Sequence, residues 1–324
     1  MVALALAVLL AAAPMQVPPG AAPPRQASGQ AVAADPGAVD LGEIEITGRP
    51  LDTMIRSFVN EVAEPNRRRG LARWDRPICV GVANLRAEPA QYIVDRVSTV
   101  AEDLGLDTGG PGCAPNVIIV ASDQPSALAR DLTQDRRRAF RMGGSGMDRG
   151  RTALEGFVTS EAPVRWWQVS APVDSETGNI ATRIPGYCRG DCDAAGTNPA
   201  DYAPNIGVFA ASRLSTQIVD ELFRTVVILD VNQISGFRAD QLADYIAMVT
   251  LAQIDPAADT RAYASILNLF EQPDPEAGLT HWDRAYLQGL YDAERTRKNL
   301  RAGRLEIADT IHRTHQELTA TAEE

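Results

Sequence analysis

Apolar positions change their period several times along the chain. Leu51, Met54, Ile55, Phe58, Val59 and Val62 recur at helical spacing, which predicts a helix with one apolar face, stopped before Pro65. Pro77–Ala83 reads as a strand, and Ala90–Leu104 as a helix with Ile93, Val97, Val100 and Leu104 on one face. Asn116–Ala121 is continuously apolar, the pattern of a buried strand. These three form a strand–helix–strand unit whose crossover is long enough for parallel pairing. A helix follows over Leu128–Phe140 and a strand over Val164–Ser170. Residues 171–206 read as a long irregular loop, and Ile206–Ala211 and Leu222–Asp230 as strands. Arg238–Ile254 predicts a helix with Leu242, Ile246, Val249 and Gln253 along one face. Thr280–Tyr291 is a further helix, opened by a T-x-x-D capping box made of Thr280 and Asp283. Glu294–Thr319 is a long, polar C-terminal helix. The fold class is therefore α+β: a mixed β-sheet packed with helices, followed by a mainly helical C-terminal third. Residues 41–324 form one domain, sheet-rich over 41–235 and helix-rich over 236–324.

Residues 1–40 stand apart. Met1–Ala13 is an apolar run of signal-peptide length, lacking the usual basic flank, and residues 14–40 are a flexible linker rich in Pro, Ala and Gly. Together they point to export, hence to a periplasmic or secreted protein. The four cysteines, Cys79, Cys113, Cys188 and Cys192, suit that compartment. Two disulfides, Cys79 with Cys113 and Cys188 with Cys192, are one reading. Free thiols are another, and a metal site a third, although no CxxC is present.

Composition narrows the function. The chain has 324 residues, and its 42 Asp+Glu against 31 Lys+Arg give a net charge of −11, which repels nucleic acid. No apolar stretch is long enough for a transmembrane span. Two basic clusters break the acidic background: Arg67, Arg68 and Arg69, and Arg136, Arg137 and Arg138 with Arg141. They are candidate contacts for an anionic partner. The glycine-rich loop Met142–Gly150 has neither P-loop nor Rossmann spacing.

Metal chemistry has little to work with. The chain holds three histidines. His312 and His315 share a face of the C-terminal helix and are weak candidate ligands; His281 reaches them only through the fold. No cofactor motif and no recognisable catalytic constellation occurs.

The C-terminal part nevertheless resembles a family of uncharacterised, secreted, zincin-like bacterial proteins. The strand Leu222–Asp230 leads through a turn into the helix Arg238–Ile254. The segment Ser265–Phe270 follows, and then Leu279–Tyr291, similar to the family signature LT-x-x-D-x-x-x-L-x-x-LY. In zincins the helix after the strand carries the zinc histidines and a catalytic glutamate. Here that helix contains neither His nor Glu, and only Asp240 and Asp244 carry carboxylates. The resemblance thus implies a degenerate relative that keeps the fold without the HExxH metal site. The resulting expectation is an exported, non-catalytic protein that binds a protein or another cell-envelope partner. The alternative is a hydrolase with an unorthodox active site.

Overall fold

The computed structural model describes residues 50–66, 69–140, 146–182, 206–207, 213–272 and 278–322. Outside them lie the signal-like run and linker, Arg67, Arg68, Arg141, the first four residues of the glycine-rich loop, most of the expected strand Ile206–Ala211, and the Cys188–Cys192 segment.

The first helix, α1 (Leu51–Val62), buries the predicted face through Ile55, Phe58, Val59 and Val62. Next come β1 (Val80–Ala83), α2 (Ala87–Asp103) and β2 (Val117–Ser122), with β1 and β2 parallel, as the crossover length allows. The expected helix at Leu128–Phe140 is two pieces, α3 (Pro125–Asp135) and the single turn α4 (Arg137–Phe140). A helix not foreseen, α5 (Arg151–Thr159), precedes β3 (Val164–Asp174).

β3 corrects the expected loop at 171–206, because the strand continues to Asp174. Its partner β4 (Ile218–Asp230) likewise begins four residues before the predicted start. Each extension supplies the other's backbone partners, a pairing that local periodicity does not reveal. Strand order is β1-β2-β4-β3, with β2 and β4 parallel and β3 antiparallel to β4. The sheet is therefore mixed.

Helices cover both faces, so β4 is apolar on both sides. Val227 and Leu229 join the larger core, with α1 and α2; Val226 and Ile228 join the smaller one, with α3, α4 and α5. After β4 come the single turn α6 (Val231–Ile234) and α7 (Ala239–Leu251). The expected single apolar face of α7 is too modest. Every residue from Gln241 to Leu251 is buried, so α7 is a central helix.

A 3-10 turn at Ile266–Asn268 leads to α8 (His281–Asp292) and α9 (Leu300–Ala322). The last helix thus starts at Leu300 rather than Glu294, and residues 293–299 form the connection. It is also less polar in its setting than expected, since Ala308, Thr310, Ile311 and Thr314 are buried. Among the described residues, no helix is long and apolar enough to cross a membrane.

Candidate functional site

The sequence around residues 69–73 cannot settle as an ordinary loop, because it carries two arginines into a partly buried place. Each finds oxygen partners far away in the chain. Arg73 is 6% exposed. It donates to the carbonyls of Leu290, Tyr291 and Ala293, satisfying orphan acceptors at the end of α8. Burial, and then the nearby Arg295 charge, draw its pKa down to about 10, so it stays protonated at neutral pH. Arg69 donates through Nε to the Asp220 carboxylate at 2.6 Å, and Asp220 also accepts from the Gly70 N–H at 3.0 Å. Backbone bonds from Arg73 N–H to Asp220 O and from Leu222 N–H to Arg73 O lay this segment along the start of β4.

The connection between α8 and α9 forms the facing wall. Arg295 donates to Glu221 Oε1 at 3.2 Å and lies 3.5 Å from Asp75. Burial, and then a hydrogen bond with Asp75, raise the Glu221 carboxyl above its ordinary value. Arg297 pairs with Glu306 at 3.1 Å. Backbone bonds from Thr216 N–H to Thr296 O and from Lys298 N–H to Leu214 O fix the connection beside residues 214–216.

These elements enclose a groove of about 310 Å³, within the size range of ligand pockets. Its walls carry six basic side chains, Arg69, Arg73, Arg295, Arg297, Lys298 and Arg304, against the two acids Asp220 and Glu294. Leu71, Leu290 and Ile307 provide apolar lining. Four of the cations are engaged by carboxylates or carbonyls. Lys298, the only lysine in the chain, and Arg304 have no carboxylate partner among the described residues. The groove can therefore hold an anionic group against these two cations while offering apolar surface beside them.

Sequence reasoning reached only Arg69 of this set. Arg73 stands alone in the sequence, whereas Arg295, Arg297, Lys298 and Arg304, with Arg301 between them, form a basic run that could have marked the site but reads as part of a polar helix. Arg136, Arg137 and Arg138 are exposed around the α3–α4 boundary, away from the groove. The Cys79–Cys113 disulfide is present, with a Cα separation of 6.0 Å.

The three histidines do come together. His281 at the start of α8 and His312 on α9 both act electrostatically on His315, whose ring also meets Trp282 edge-on at 5.7 Å. Burial first, then these two neighbours, lower the His315 pKa. Even so, among the described residues no group of three His, Cys, Asp or Glu side chains is arranged to hold a metal ion. The acids of α7 are also engaged. Asp240 pairs with Arg238, while Asp244 pairs with Arg96 and accepts from the Leu279 N–H.

Two further constellations went unforeseen. Glu64 meets Asp255 and Arg149, and its carboxyl is pushed up to about 7 by burial and then by the hydrogen bond with Asp255. Asp283 is fully buried and accepts from Ser265 Oγ, the Ile266 N–H and both the N–H and Oγ of Thr280. It thereby ties the Ser265–Phe270 segment to the start of α8. Compared with known proteins, the chain matches no family model, no curated protein and no solved structure.

Proposed function

We propose that this is an exported, non-catalytic protein of degenerate zincin-like fold that binds a negatively charged partner in the periplasm or at the cell surface. The observation that carries the reading is the cationic groove, set in a chain of net charge −11. On so acidic a chain, cations placed at random tend to find carboxylate partners. Here two cations without carboxylate partners stand beside apolar lining. The Cys79–Cys113 disulfide supports an oxidising compartment. The buried roles of Asp283 and of α7 support a signature kept for folding rather than for chemistry.

The test uses the acidity of the chain itself. At neutral pH and low salt, the protein should be retained on a polyanionic resin despite its net charge, and released by salt. Lys298→Glu with Arg304→Glu should abolish retention. Free passage of the wild type would overturn the reading.

A second reading, a hydrolase with an unorthodox site, is favoured by one observation. Glu64 has the acidity of a general acid or base poised near neutral pH, with Asp255 and Arg149 beside it. Hydrolysis of an ester, glycoside or peptide by the wild type, lost in Glu64→Gln, would establish it.

A further inference from the structure

We propose that the groove and the aliphatic rim around it dock the protein onto an anionic lipid surface; this rests on the binding reading above and names its partner. The described residues include five exposed large hydrophobic side chains, and four of them gather here. Ile218, 36% exposed, and Leu300, 45% exposed, line the groove. Leu300 also lines an adjoining depression with Leu305, which is 40% exposed. Leu214, 81% exposed, is held beside Lys298 by the backbone bond between them.

The cations share this address. Lys298, Arg301 and Arg304 follow one another at intervals of three, and none has a carboxylate partner among the described residues. Arg56 faces the same depression, and its only carboxylate neighbour among the described residues, Asp309, stands 3.6 Å away with both side chains largely exposed. Such a pair contributes little and is easily exchanged for another anion.

Aliphatic side chains interleaved with cations that lack partners match the boundary layer of an anionic bilayer. The leucines enter the upper acyl region and the cations meet the phosphates. An acidic protein is the rival partner. Its docking surfaces draw their energy mainly from Trp and Tyr beside Arg, with Leu under-represented, and this rim offers Leu and Ile. Charge also fixes orientation. The net negative charge of the chain is repelled by an anionic membrane, which favours approach through this cationic face.

The experiment is co-sedimentation of the full chain with phosphatidylglycerol–phosphatidylcholine vesicles and with pure phosphatidylcholine vesicles. Binding is expected to the first alone and to fall with salt. Lys298→Glu with Arg304→Glu should weaken it by about tenfold or more. Leu214→Ser with Leu305→Ser, both outside the groove lining, should weaken it while leaving retention on the polyanionic resin unchanged. Arg137→Glu with Arg138→Glu, outside the groove, should bind as the wild type does. Equal binding to both vesicle types, or binding unaffected by the groove variants, overturns the proposal. No vesicle binding, with resin retention still dependent on Lys298 and Arg304, removes the lipid and keeps the anionic groove. Loss of both removes the groove reading too.

Discussion

Gly289 on α8 lies directly against the backbone of Ile311 on α9. A Cβ at Gly289 would stand 2.6 Å from the Ile311 Cα and 2.7 Å from its N. Backbone atoms cannot rotate away as a side-chain tip can, so the two helices touch at a point that admits only hydrogen. This contact sets the spacing of the α8–α9 pair, whose connection forms one wall of the groove.

Gly289→Ala should therefore force the helices apart and destabilise the fold by about 1–3 kcal/mol, the usual range for overpacking. Gly303, also on α9, is the control. An added Cβ there finds its nearest atom at 3.9 Å, so Gly303→Ala should stabilise by up to about 1 kcal/mol through helix propensity. Urea unfolding of both variants checks the pair, and equal effects would disprove the close contact.

The Cys79–Cys113 disulfide closes a loop spanning 34 positions, from the start of β1 to the approach to β2. Chain entropy assigns it roughly 3–4 kcal/mol. Cys79→Ala with Cys113→Ala should lower stability by up to that amount. Non-reducing peptide maps should recover the link, and a mature protein with both thiols alkylatable would contradict it.

Asp283 is the most heavily bonded buried acid of the C-terminal part. Burial raises its pKa, against the pull of the donors from Ser265, Ile266 and Thr280. Asp283→Ala leaves those donors without their acceptor and should cost about 3–5 kcal/mol. Thr280→Ala, which removes only the hydroxyl of the cap, should cost about 1 kcal/mol. A chemical role for the signature would instead leave stability unchanged in Asp283→Ala.

That network also shows what the sequence could and could not disclose. The T-x-x-D box was legible because capping is local: Thr280 and Asp283 are one helical turn apart. The link from Asp283 to Ser265 was not, since nothing in the intervening residues marks a tertiary hydrogen bond. The same divide runs through the sheet. The apolar run of β2 and the parallel pairing of β1 and β2 follow from period and crossover length. The outer halves of β3 and β4 exist because each supplies the other's partners. The groove falls on both sides: the basic run from Arg295 to Arg304 is local, but its meeting with Arg69 and Arg73, more than two hundred positions earlier, is tertiary.

Glu64 should give the protein an unusual pH dependence. Its folded pKa, about 7, stands above the ordinary 4.5, so the folded state holds its proton more tightly than the unfolded chain does. That contribution is complete below about pH 4.5 and is lost as pH rises through about 7. Partial exposure screens it, leaving on the order of 1–2 kcal/mol. Glu64→Gln keeps a donor toward Asp255 and should flatten the decline, measured as unfolding free energy against pH. A wild-type curve that rises across this window and stays unchanged in the variant would refute the assignment.

His315 should pull in the opposite direction, and the two slopes can be separated. Its folded pKa is lowered, so the unfolded chain binds the proton more readily. Stability from this group is present above 6.5 and is lost as pH falls through the lower folded value. His281 and His312 contribute the repulsion that protonation would meet, while Trp282 packs against the ring. Replacing His315 with Ala removes a half-buried aromatic contact and should cost about 1 kcal/mol at pH 8, more than an exposed position would. His312→Ala keeps that contact and removes only one source of repulsion, so it should cost less. In a Glu64→Gln background the rise of stability with pH just below 6.5 should stand alone, and His315→Ala should erase it. A rise that survives in that double variant would place the titrating group elsewhere.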